Sequence, residues 1–171
     1  MGLIATLIAA GDLVLYHDYR SGCMLDFSGN SNDGTGTDVL LNSGRAKWLN
    51  NSSEIIVDDS ASLQLTEGAI IVFGSFDVQE QYEYLVVKED SGGTNYRVYL
   101  SSTTVRFHDG SSSLYRVSDI KGKRCIGVNF KNGETPVLNV DGEEEGIFSG
   151  TATVTANDAN LVIGNAYDSN D

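Results

Sequence analysis

Dipeptides that can reverse a chain punctuate this sequence: Gly92-Gly93, Asp109-Gly110, Asn132-Gly133 and Asp141-Gly142. Asp, Asn and Gly tolerate the positive φ angles of tight turns, which most residues resist. Between these turns, apolar and polar residues alternate. In Tyr96-Arg97-Val98-Tyr99-Leu100, residues 96, 98 and 100 fall on one face. In Val105-Arg106-Phe107-His108, Val105 and Phe107 oppose Arg106 and His108, and Ile126-Gly127-Val128-Asn129-Phe130 puts its large apolar residues on one side. A period of two marks a half-buried strand. No stretch of ten or more residues keeps a helical period. The continuous apolar runs Ala69–Phe73 and Tyr84–Val87 predict strands buried more deeply. Strands recurring about every 8–12 residues with no helices between them predict an all-β, antiparallel two-sheet sandwich.

Composition bounds the rest. A chain of 171 residues suits one domain. With 19 Gly and 1 Pro, most turns must be made by Gly, Asn, Asp and Ser. Met1 to Ala10 is apolar and carries no Lys or Arg. It lacks the basic start of a secretory signal and is too short to span a bilayer. Residues 1–11 are therefore expected as an arm or first strand, and 12–171 as the domain. The two cysteines, Cys23 and Cys125, match no metal spacing and make no disulfide framework.

The formal charge of −13 and pI near 4.3 argue against a nucleic-acid partner and an anionic membrane surface. Acidity does suit the recruitment of hard cations. In the stretch from Asp26 to Thr35, Asp, Asn and Ser favour side-chain-to-backbone turns. Its oxygens on Asp26, Asn30 and Asp33 make it the candidate calcium site.

Catalysis finds little support. Glycoside hydrolysis needs two carboxylates facing across a cleft, whereas Glu80 and Glu83 would face opposite sides of a strand, and Glu143-Glu144-Glu145 reads as a solvated run after a turn. His17 and His108 have no neighbouring nucleophile motif. The chain is expected not to be an enzyme. Sugar binding uses an aromatic platform with polar side chains around it. Tyr96, Tyr99, Asn95, Asp90, Asp58 and Asp59 are the candidates, while Trp48 reads as core.

Several segments, in order, carry a resemblance: Leu13-Val14-Leu15-Tyr16, Asp26 to Thr35, Glu54 to Leu63, the strand from Ala69, Lys88-Glu89-Asp90, Asn95 to Leu100, Val140-Asp141-Gly142 and Leu161 to Asn165. Together they resemble the laminin-G-like jelly-roll modules of the concanavalin A-like superfamily, over about residues 12 to 166. Two departures stand out. Lys123 to Val128 lacks the aromatic strand those modules often carry before Val-Asp-Gly, and no closing strand follows Leu161 to Gly164. The resemblance implies a jelly roll that binds rather than catalyses. Such modules usually work outside cells, and they occur in bacteriophage tail and capsid-surface proteins. The expectation is a virion component, capsid-surface or tail-fibre, released by lysis. It would dock on other virion proteins or on copies of itself and contact host-surface glycans. The alternative is a calcium-dependent carbohydrate-binding or adhesion module of a bacterial surface protein.

Overall fold

The protein is described by a computed structural model over residues 13–42, 45–49, 52–74, 76, 82–90, 93–101, 103–117 and 119–164. The strands are β1 (Gly34–Thr37), β2 (Val39–Asn42), β3 (Arg45–Trp48), β4 (Glu54–Val57), β5 (Glu67–Phe73), β6 (Tyr82–Asp90) and β7 (Gly93–Ser101). They continue as β8 (Thr104–His108), β9 (Ser113–Val117), β10 (Cys125–Lys131), β11 (Val137–Val140), β12 (Glu143–Ile147) and β13 (Leu161–Ile163). The helical elements among the described residues are two 3₁₀ turns, Tyr19–Ser21 and Ala61–Leu63.

Two antiparallel sheets form the sandwich. Among the described residues one has seven strands in the order β1-β4-β13-β6-β7-β8-β9 and the other four, β12-β11-β10-β5, while β2 and β3 pair as a separate hairpin. The alternation seen in sequence sets what lies between them. Val98, Leu100, Val105, Phe107 and Leu114 face inward from the first sheet, and Ile126, Val128, Phe130, Leu138 and Val140 from the second. The Phe107 and Phe130 rings meet across the core, with centroids 5.0 Å apart. Each of these side chains contributes roughly 1.5–3 kcal/mol by leaving water.

The predicted turns at Asp109-Gly110, Asn132-Gly133 and Asp141-Gly142 all fall between strands. Asp141 (φ 52°) and Gly142 (φ 90°) both have positive φ, the two-residue geometry that joins β11 to β12 with Val140 opposite Glu143. The Asp141 carboxylate also accepts from the N–H groups of Arg124 and Cys125, at 2.7 and 3.0 Å.

Three expectations need correction or limits. Ala69–Phe73 is not buried on both faces: Ile71 is 58 % and Phe73 77 % exposed. Ile70 and Val72 alone turn to the core there, because β5 has the core on one side only. The lack of a closing strand after Leu161 to Gly164 suggests a sheet edge left open there, but β13 lies between β4 and β6 and pairs with both. Among the described residues, the edge strands of this seven-stranded sheet are β1 and β9. The apolar arm of residues 1–11 and the chain after Gly164 lie outside the described residues.

Candidate functional site: the outer face of the seven-stranded sheet

Strand pairing gathers side chains that are far apart in sequence. In one row, Tyr84 of β6 lies opposite Tyr99 of β7, Tyr99 opposite Arg106 of β8, and Arg106 opposite Tyr115 of β9. In the neighbouring row, Val162, Val87, Arg97, His108 and Ser113 follow one another across β13, β6, β7, β8 and β9. Their sequence neighbours Val98, Leu100, Val105, Phe107 and Leu114 are core residues, so both rows point away from the core. A bulge between Tyr84 and Val86 is essential here. The extra residue, Leu85, lets Val86 face the core opposite Val98 while Tyr84 faces outward opposite Tyr99.

The rows interlock. The Tyr84 and Tyr99 rings stack with centroids 5.2 Å apart and 23° between planes. The Arg97 guanidinium lies over both, at 5.7 and 5.3 Å, and its Nη1 donates to Glu89 Oε2 at 2.8 Å. Arg97 Nε is buried without a hydrogen-bond partner among the described residues. The Tyr99 hydroxyl is 2.7 Å from Ser113 Oγ. Arg106 lies over the Tyr115 ring at 5.9 Å. Tyr84 and Tyr99 are buried, whereas Tyr115 is 49 % exposed. At the β8–β9 end of this face solvent reaches Tyr115, the half-buried Arg106 and His108 and the exposed Ser113, while the exposed Glu89 and the half-buried Arg97, Val87 and Val162 lie further along it. His108 Nδ1 accepts from Gly110 N–H at 3.0 Å, which leaves Nε2 as the donor of the neutral ring. Burial, and then the Arg97 charge, push the His108 pKa below its ordinary value.

Of the candidates read from sequence whose side chains are described, only Tyr99 stands on this face. Tyr96 points the other way, into the core, and its hydroxyl donates to Leu63 O at 3.0 Å. Burial and the nearby Asp59 charge hold that hydroxyl protonated. Asn95 is buried and donates to Thr155 O at 2.7 Å. Asp59 pairs with Lys88, which is fully buried and also donates to Ala159 O. Burial pushes the Asp59 carboxyl up, but the hydrogen bonds from Lys88 and Gln64 and the Lys88 charge outweigh it and hold it below the usual range. Asp59, Tyr96 and Asn95 thereby tie the loops after β4 and before β13 onto β6 and β7. Asp58 is exposed in the loop after β4. Asp90 ends β6 and Trp48 ends β3, and both side chains lie outside the described ones.

The candidate calcium ligands are turned to the chain itself. Asp26 accepts from Tyr16 N, Ser28 N, Ser28 Oγ and Asn32 N at 2.7–3.0 Å. Burial pushes its carboxyl up, and these bonds more than offset that and hold it low. Asp33 accepts from Asp26 N, and the Asn30 amide donates to Leu13 O and Val14 O. Among the described residues, no group of three or more His, Cys, Asp and Glu could hold a metal ion. The loop fastens residues 13–17 and, through Asn32, Ser60 and Ser62.

Tyr84, Arg97, Arg106, His108 and Tyr115 were not among the candidates. The only signal for them was parity: each alternates with a core residue, and only the strand order makes them neighbours.

No family model matches the chain, and no curated protein matches it in sequence. Solved structures do. The binding domain of Paraclostridial mosquitocidal protein 1 matches with a TM-score of 0.67 at 18 % identity, over 90 % of this chain and 44 % of that one. The binding domain of botulinum neurotoxin serotype D gives 0.66 at 13 %, over 90 % and 44 %. A structure of botulinum neurotoxin type C, whose cell entry depends on interaction with two ganglioside molecules, gives 0.63 at 13 %, over 92 % and 44 %. The chain spans less than half the length of these matches. At such identities the likeness is one of fold, and the fold it shows is an all-β sandwich found as one part of larger binding domains.

Proposed function

We propose that this chain is a non-catalytic glycan-binding module, with the saccharide seated on the outer face of the seven-stranded sheet at Tyr115, Arg106, His108 and Ser113. The observation that carries the reading is the row Tyr99–Arg106–Tyr115, an exposed aromatic ring backed by a guanidinium on a rigid sheet. A ring face stacks against the C–H face of a sugar, and guanidinium, imidazole and hydroxyl groups bind its oxygens. The carboxylate that reaches this face from β6, Glu89, is bound to Arg97. It suits holding the guanidinium in place rather than the two facing carboxylates of hydrolysis. The similar binding domains, and the ganglioside dependence of one of the toxins, support the same class of ligand. The finer proposal places the module on a bacteriophage particle or its fibres, docked on other virion proteins. It rests on the laminin-G-like resemblance, and mass analysis of purified particles tests it: a stoichiometric chain is expected.

A glycan array followed by titration calorimetry tests the binding. Tyr115→Ala should weaken the best array ligand about tenfold, the effect of losing roughly 1.4 kcal/mol of stacking. Arg106→Gln should act in the same direction. Silence across the array, or affinity indifferent to both changes, would sink the reading.

A further inference from the structure

The side chains at the β8–β9 end of the seven-stranded sheet offer hydrogen-bond donors and few acceptors. The Arg106 guanidinium carries N–H groups and accepts nothing. His108 Nδ1 is taken by the Gly110 N–H, so Nε2 of the neutral ring is a donor. The described outward positions of β8 and β9, with Arg97, Tyr99 and Ser101 of β7, include no Asp, Glu, Asn or Gln. The hydroxyls of Tyr99 and Ser113 are bound to each other. The nearby carboxylates are already engaged. Glu89 accepts from Arg97 Nη1 at 2.8 Å. Asp109, next to His108, is buried and accepts from the N–H groups of Ser111, Ser112 and Thr153 at 2.7–2.9 Å.

Charge on the face is equally one-sided. Arg97 lies opposite His108, and Arg106 stands two residues from His108 on the same strand. Register alone therefore sets the three Cα atoms about 5 to 8 Å apart. Like charges held so closely repel one another. Arg97 accordingly adds to burial in pushing the His108 pKa down. On the outward side two arginines stand against one carboxylate, Glu89, in a chain with 24 acidic and only 11 basic side chains.

Resting on the glycan-binding reading above, we propose that the saccharide is acidic, with a carboxylate or sulfate group held by the Arg106 guanidinium and the His108 Nε2–H while a sugar ring lies on Tyr115. A neutral sugar's hydroxyls both donate and accept, and these side chains match the accepting half alone. Carboxylate and sulfate oxygens only accept, and the planar guanidinium fork meets two of them at once. The formal charge of −13 does not bar the approach. At physiological salt, charges beyond about 8 Å are largely screened, and inside that range the outward groups set the sign.

A glycan array of matched acidic and neutral structures, followed by titration calorimetry, tests this. The strongest signals should fall on acidic glycans. The best of them is then neutralised, by carboxyl reduction or by desulfation. The conversion that removes the recognised group should raise the dissociation constant at least about tenfold, which also tells carboxylate from sulfate. Arg106→Gln should bring the acidic and neutral forms within about twofold of each other. Arg106→Lys, which keeps the charge and loses the fork, should retain part of the preference. Tyr115→Ala should weaken both forms by a similar factor. If Arg106→Gln fails to fold, the wild-type comparison of the two forms decides by itself. Neutral forms that bind as tightly as acidic ones, still through Tyr115, overturn the acidic preference and leave glycan binding standing. A preference that survives Arg106→Gln overturns the assigned seat. Silence across the array sinks glycan binding itself, and the acidic preference with it.

Discussion

His108 shows how a side chain's role depends on the sheet around it. Its fold-lowered pKa means that the unfolded chain takes up the proton first as pH falls. Stability is then complete above the ordinary value of 6.5 and declines as pH drops through the lower folded value. Melting temperatures at pH 7.5 and pH 5 should differ, and His108→Gln should remove part of that difference; equal slopes in the two proteins would contradict the assignment. Lys88 makes a second residue-scale case. It is fully buried, and its partner Asp59 is partly exposed. Asp59→Ala strands a buried ammonium and should cost about 3 kcal/mol. Lys88→Met leaves a carboxylate that water can reach and should cost clearly less. Denaturant titration of both variants checks the order, and the reverse order would refute it. Alternation in the sequence put Tyr96 and Tyr99 on opposite faces, and it was right. What it could not give is that Tyr96 faces the core and that Tyr99 lies under Arg97 in a stack with Tyr84.

At the scale of elements, the strands with one apolar face and one polar face were the legible ones. β8 and β10 alternate as the sequence predicts, and Asp141-Gly142 turns where its chemistry says it should. The segments whose two faces are both apolar predict deeply buried strands, which holds for Tyr84–Val87 but not for Ala69–Phe73. β5 shows its second face to water, and in β6 a bulge at Leu85 resets the alternation. A bulge has no residue signature of its own, because it arises from how two strands meet. Close packing between elements is equally silent in sequence. Gly34 begins β1, and a Cβ there would stand 2.6 Å from Ile55 Cγ2 and 3.0 Å from His17 Cε1. Ile55 is wholly buried and cannot yield easily. Gly34→Ala should therefore cost about 1–3 kcal/mol by overpacking. Thermal unfolding reads it, and an unchanged midpoint would show that β1 shifts freely.

For the whole molecule, charge and architecture pull apart. A formal charge of −13 is a property of composition and acts over the entire surface. Raising NaCl from about 0.01 to about 1 M shortens the screening length from roughly 30 to 3 Å. The melting temperature of dilute protein should rise by several degrees as self-repulsion is screened, and a fall would show that specific ion pairs dominate instead. The sequence by itself determined the class of fold, the positions of most turns and the inward side of the alternating strands. Each of these follows from local backbone preference and the burial of apolar side chains, and both are written residue by residue. Tertiary structure alone decided the strand order. It set Arg97 from β7 beside Tyr84 from β6 and Arg106 from β8 beside Tyr115 from β9, and it left the outer face of β5 uncovered. Those neighbours come from strand pairings within the seven-stranded sheet, and such pairings are a collective choice of the folded chain that no single segment encodes.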